Sequence, residues 1–120
     1  MTDEVGESYH DVLARNIKAN KEIIILSMLS KKPMSGNDLI EELVLKTKVF
    51  LAQSTVYPIL YSFEEAGILQ AKYEKGDMRT KNYYITALGR EIAQKKKEYV
   101  FKSMTAVNDL VQGKDGEGAL

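Results

Sequence analysis

Tyr9, Leu13, Ile17, Ile24 and Met28 recur at steps of four, four, seven and four, and neither proline nor glycine interrupts the chain from Asp11 to about Ser30. This spacing predicts one long first helix. Its second half, Ile23 to Leu29, is apolar on nearly every side and should be buried, while the polar first half lies along a surface or a partner. Lys31-Lys-Pro33 should end it, because the residue before a proline is pushed out of the helical region. A second helix follows, capped by Ser35-Gly36 or Asn37, with Leu39, Ile40, Leu43 and Val44 in one stripe and its end near Lys46. After a loop over residues 47–53, Ser54 or Thr55 can cap a third helix carrying Val56, Ile59, Leu60 and Phe63 inward. Proline is tolerated in a first turn, so regular helix is expected to begin close to Val56, with Pro58 just inside it. Gly67 should stop this helix.

Beyond Gly67 the period changes. Residues 68–73 and 81–85 read as two strands with Gly76-Asp77 at the turn between them. Thr86 then caps a final helix of about 26 residues, roughly 39 Å long, with no breaker before Gly113. Its apolar positions fall into two groups separated by Gln94-Lys-Lys-Lys-Glu98. Ala87, Leu88, Ile92 and Ala93 are placed to pack on the hairpin. Val100, Met104, Val107 and Val111, beside Tyr99, Ala106 and Leu110, form a second stripe that needs another surface to cover it. The expected fold class is mainly α with a small β-hairpin wing (α+β): a winged helix-turn-helix plus a long C-terminal helix. Residues 1–85 would form the winged-helix region including the first helix, 86–112 a dimerisation helix, and 113–120 a flexible tail.

Composition narrows the function. A chain of 120 residues with a hydrophobic fraction of 44% supports one packed domain and leaves no room for a second core. With no cysteine and a single histidine, His10, it offers no disulfide, no thiolate or multi-histidine metal site and little triad chemistry. No phosphate-binding loop or dinucleotide fingerprint occurs either. Neither a cofactor nor an enzymatic activity is expected. The first residues are acidic where a signal peptide would be basic, and the longest uninterrupted aliphatic run is Ile23 to Leu26. A cytoplasmic protein with no membrane partner is the expectation.

Seventeen basic residues balance seventeen acidic ones, but not locally. Residues 13–36 hold five bases against one acid, and residues 72–102 hold nine against four. A local basic surface can attract a polyanion even on a neutral molecule, although a charge run alone is more often a solvated face.

Helix, helix, turn, helix and hairpin in this order describe a helix-turn-helix followed by a wing, which places the third helix against DNA. Gln53, Ser54, Thr55 and Tyr57 stand at the start of that helix, where amide and hydroxyl groups can meet base edges or phosphates. Ser54 and Thr55 can equally be plain caps, and Tyr57 or Tyr61 core residues, Tyr61 above all. Lys75, Arg79 and Lys81 flank Gly76 at the wing, where cations can neutralise phosphate.

Four blocks make the picture specific: Met34-Ser-Gly-Asn-Asp-Leu39, Ser54-Thr-Val-Tyr-Pro-Ile-Leu60, Glu64-Glu-Ala-Gly-Ile-Leu69 and Asn82-Tyr-Tyr-Ile-Thr-Ala-Leu-Gly-Arg90. In this order, across roughly residues 22–93, the chain resembles the PadR family of transcriptional regulators. The resemblance implies a winged-helix repressor that dimerises through its first and last helices and binds an inverted repeat in double-stranded DNA. It places Ser54, Thr55 and Tyr57 at the start of the recognition helix, Arg79 and Lys81 in the basic wing, and Gly36 at a packing position. The single C-terminal helix resembles the short subgroup of that family. The chain has no tryptophan, so no ligand site built on a stacked indole carries over.

The homodimer is expected to form through Leu13, Ile17, Tyr99, Val100, Met104, Val107 and Val111. A small-molecule effector is a candidate partner, in a slot lined by Tyr9, Ile17, Tyr99 and Met104, but the same residues would make a dry dimer core, the more common use of apolar stripes. The rival reading is a winged helix that binds another protein instead of DNA.

Overall fold

A computed structural model describes residues 6–74 and 76–114 of the chain. The elements run α1 (Tyr9–Ala19), α2 (Lys21–Lys31), α3 (Gly36–Thr47), α4 (Gln53–Glu65), β1 (Leu69–Glu74), β2 (Asp77–Ile85) and α5 (Ala87–Val111). The expected mainly helical α+β architecture is present. Most of the expected tail, residues 115–120, lies outside the described residues.

The single first helix of the sequence reading is in fact two. Asn20 leaves helical geometry (φ −112°, ψ 21°), and its side-chain Nδ2 donates to the Asn16 carbonyl at 2.8 Å. An asparagine that bonds back to the preceding turn competes with the helical ladder, and hydrophobic spacing cannot register this. Ser8 and Asp11 close a capping box at the start of α1. His10 Nε2 donates to the Lys48 carbonyl at 2.8 Å, tying α1 to the left-handed residue that ends α3.

The core is continuous from α2 through α4 to the hairpin. Leu26, Leu29, Val49, Val56, Leu60 and Tyr83 are its most completely buried side chains. Ser35 caps α3 with a capping box to Asp38, in keeping with the expected cap. Helix α4, by contrast, starts at Gln53 and not near Val56. Its N-cap is Ala52, whose carbonyl accepts from Thr55 N–H and Val56 N–H at 2.9 and 3.1 Å. Ser54 and Thr55 therefore do not cap. Val49 and Leu51 are buried immediately before the helix, which draws the loop into the core and starts the helix early. Pro58 consequently sits inside α4, beyond the first turn, on its exposed side. The helical donor that it lacks would have served the Ser54 carbonyl four residues earlier.

Strands β1 and β2 pair antiparallel with Leu69 opposite Ile85, Ala71 opposite Tyr83 and Tyr73 opposite Lys81. Beyond Tyr73 the register shifts, so that Glu74 pairs with Asp77, and Gly76 turns the chain at φ +80°. Strand β2 thus begins before the expected Lys81. A third edge comes from Met34, whose carbonyl accepts from Tyr83 N–H at 2.8 Å. Thr86 caps α5 as expected, its hydroxyl accepting from Gly89 N–H and donating to the Gly67 carbonyl at 2.7 Å. A Cβ on Gly89 would lie 2.2 Å from the Ile68 carbonyl oxygen, so the start of α5 seats against the chain entering β1 only because that residue is glycine.

Candidate nucleic-acid interface

Helix α4 has three sides. Val56 and Leu60 are buried in the core, with Phe63 packed beside them. At 100° per residue the opposite side carries Ser54, Pro58, Tyr61 and Ser62, all exposed. Tyr61, expected in the core, is 53% exposed. It lies seven residues after Ser54, two helical turns along the same outward line, and that spacing was the available signal.

The two edges of α4 meet different neighbours. On one, Gln53 Nε2 donates to Asn37 Oδ1 at 2.9 Å, pinning the start of α4 to the start of α3. The Tyr57 ring lies on the same edge, over Gly36, where an added Cβ would come 2.6 Å from the ring. Glycine at 36 is therefore what lets the ring close over α3, in line with the expected packing role. The Tyr57 and Tyr61 rings stand 6.0 Å apart. Between this edge and the wing lies a polar depression of about 310 Å³, lined among others by Ser35, Asn37, Tyr57, Arg79 and Thr80. The other edge of α4, marked by Thr55, faces the corner between α1 and α2.

The three wing cations do not share one environment. Arg79 is exposed beyond the Tyr73–Lys81 pair, in the stretch where the register shifts. Lys81, opposite Tyr73 at the last regular pair before the turn, does not point outward but toward α4, where its Nζ is 3.2 Å from Glu64 Oε1. The same ammonium lies 5.6 Å from the Tyr61 ring centre and 5.5 Å from that of Tyr83. Burial alone would lower the Lys81 pKa, but Glu64 and the phenols of Tyr83 and Tyr73 outweigh it and hold the ammonium above its ordinary value. Burial likewise pushes the Tyr83 phenol up, against the pull of Lys81. Strand spacing could not distinguish this inward cation from an outward one. Lys75 lies outside the described residues.

The expected dimer residues also divide. Tyr99, Met104, Val107 and Val111 are exposed on α5, together with Phe101 and Leu110. Leu13 and Val100 are partly covered, and Ile17 is only 6% exposed, already inside the protomer. An open groove of about 680 Å³ runs between α1, α2 and the middle of α5, floored by Leu13, Ile17, Ile24, Met28, Val100 and Met104. Of the residues expected in an effector slot, Ile17 and Met104 line it and Tyr9 and Tyr99 do not. No helix among the described residues is long and apolar enough to cross a membrane.

Comparison with known proteins agrees with this geometry. The family described as Transcriptional regulator PadR-like matches residues 25–113. The chain is similar to a PadR-like transcriptional regulator from Bacillus cereus strain ATCC 14579, with 25% identity over 83% of this chain and 99% of that one, at a TM-score of 0.70. A PadR family regulator from Clostridium difficile R20291 is 25% identical over 76% of this chain and 98% of its own, at a TM-score of 0.61. A transcriptional regulator from Clostridium thermocellum shares the fold at a TM-score of 0.72, with 23% identity over 81% and 98% of the two chains. No functionally curated protein matches the chain. With most of its length inside the family match and its fold shared with these regulators, the chain belongs to the PadR-like family of transcriptional regulators.

Proposed function

We propose that the protein is a homodimeric repressor that binds an inverted-repeat operator in duplex DNA and is released by a small-molecule ligand. The observation that carries the reading is the outward side of α4, polar at Ser54 and flanked by the pinned Gln53, Tyr57 and the wing. In this reading α4 enters the major groove with Ser54 at base edges, while Gln53, Thr55 and Tyr57 contact its walls. Arg79 and Lys75, on the two sides of Gly76 in sequence, neutralise phosphate. Lys81, held by Glu64, sets the angle between wing and α4.

The apolar outer half of α5 supports the dimer. Soluble monomers rarely leave a contiguous apolar stripe of this kind uncovered. Pairing through Tyr99, Val100, Met104, Val107 and Val111, with Leu13 on α1 alongside, would carry two copies of α4 to successive major grooves, about 34–36 Å apart. Ile17 supports this surface from inside the protomer. The groove beside α5 is the candidate effector site, since a ligand there would bear on the helix that sets the spacing of the two copies.

The test is binding of the purified protein to the DNA upstream of its own gene and to a random duplex, each at two salt concentrations. Tight, salt-sensitive, promoter-selective binding is expected, with log K falling about 0.9 per phosphate contact for each tenfold rise in salt. No binding to either duplex at low salt would replace this reading with a protein-binding winged helix.

A further inference from the structure

A helix in the major groove has a phosphate strand on each side. The groove is about 12 Å wide and a helix with its side chains about 10–12 Å across, so whatever borders the two edges of the helix comes close to both sugar-phosphate backbones. The wing borders only the Tyr57 edge of α4. Thr55 lies two residues earlier, 200° around the helix, and marks the other edge.

That second edge is not bare. Thr55 and Ala52 share a shallow depression of about 350 Å³ with Lys18 at the end of α1, Lys21 at the start of α2, and Phe50 and Leu51 from the loop before α4. The two lysines stand on either side of the break at Asn20, where α1 ends and α2 begins. Lys18 is exposed and has no ion pair among the described residues. Lys21 Nζ is 3.7 Å from Glu22 and donates to the Lys18 carbonyl at 3.2 Å, which holds it at the corner. Phe50 is 63% exposed, although its neighbours Val49 and Leu51 are buried. An exposed phenyl ring beside two ammonium groups suits a ligand that alternates apolar and anionic parts, as deoxyribose and phosphate do.

We infer that Lys18, Lys21 and Phe50 form a second DNA-backbone contact, which grips the strand on the side of the major groove opposite the wing. The inference rests on the proposed DNA-binding reading and extends it to Lys18 and Lys21, outside the helix-turn-helix and the wing, and to Phe50 in the turn of the motif. The lysines neutralise phosphates and the ring packs on the intervening sugar. None of the three reads base edges, so their contribution is the same for operator and random DNA.

The test compares K18A/K21A, K18R/K21R, Phe50→Ala and Arg79→Ala on a random duplex and on the upstream DNA, across a salt series. K18A/K21A should weaken binding to both duplexes by about tenfold and lower the salt slope by about two, while K18R/K21R keeps the wild-type slope. Phe50→Ala should weaken both duplexes equally with the slope unchanged, and Glu22→Gln should tighten both. If K18A/K21A keeps wild-type affinity and slope while Arg79→Ala loses both, the corner contact is wrong and the DNA-binding reading stands. A K18A/K21A variant that loses affinity with an unaltered slope would also overturn it, since no phosphate contact would have been removed. Wild-type protein that binds neither duplex fails the underlying reading instead.

Discussion

Helix α4 and the outer half of α5 both turn a full side away from the protomer's core, and the two sides are chemically opposite. On α4 the outward residues are Ser54, Pro58, Tyr61 and Ser62, and the edges are held by Gln53 to Asn37 and by Tyr57 over Gly36. On α5 they include Phe101, Met104, Val107 and Leu110, and from Phe101 onward few protomer side chains pack against the helix. The polar surface can stay hydrated until a hydrated ligand replaces the water, so it can be rigid and uncovered at once. The apolar one loses free energy for every Å² left in water and calls for a permanent cover. Exposure alone therefore does not identify an interface, and in the proposed reading polarity is what separates the transient nucleic-acid contact on α4 from the standing protein contact on α5.

The apolar side of α5 is most sensitive at Val107. Val107→Glu should bury an unpaired charge in each copy of the proposed dimer, costing about 3–5 kcal/mol, and convert it to monomer in sedimentation experiments. The protomer fold should survive, since Val107 is 60% exposed in the single chain. A variant that remains dimeric would move the interface off the outer stripe of α5.

On the α4 side the expected effects are smaller, because a polar contact exchanges one hydrated partner for another. Gly36→Ala should drive the Tyr57 ring off α3 and lower unfolding free energy by about 1–3 kcal/mol in urea titrations, with a parallel loss of operator affinity. Unchanged stability and affinity would mean that the Tyr57 position is not imposed by α3. Ser54→Ala should reduce discrimination between operator and random duplex by about 1–2 kcal/mol, whereas Arg79→Ala should weaken both alike and lower the salt slope by about one. Equal losses for Ser54→Ala on the two duplexes would assign the hydroxyl to the backbone.

The smallest effect is expected where the wing meets α4 through Lys81 and Glu64. Lys81 and Tyr83 both have folded pKa values above their ordinary ones, so the folded chain holds their protons more tightly than the unfolded chain does. Their contribution is complete below the unfolded values and fades as pH rises through the folded ones. For a partly exposed pair such as Lys81 and Glu64 it is about 1 kcal/mol or less. Alkaline unfolding profiles of Lys81→Met and Tyr83→Phe should accordingly be flatter than that of the wild type. Profiles that coincide with the wild type would show that the contact between the wing and α4 adds nothing to stability.

Several features of the fold were legible because they depend on neighbours close in sequence. The stripe of α3, the caps at Ser35 and Thr86, the hairpin and the length of α5 each follow from a few adjacent residues. The start of α4 was not legible, because it depends on burial of Val49 and Leu51 beneath other elements, and neither was the break at Asn20, which a side-chain hydrogen bond decides. Of the candidate site, Gln53, Ser54, Thr55 and Tyr57 were found as a group, but their division between the outward side and the two edges of α4 required the helix in place.

The family and the elements from α3 to α5 could be read from hydrophobic period, caps and motif blocks, which are local properties of the chain, whereas the division of the first helix into α1 and α2 could not. Packing in three dimensions set which side of each helix faces water. It turned Tyr61 outward and Lys81 inward onto Glu64, enclosed Ile17 in the protomer, and set Lys18 and Lys21 at the edge of a helix more than thirty residues away. Such decisions arise from packing and ion pairing between distant segments, whose energies no local window of residues contains.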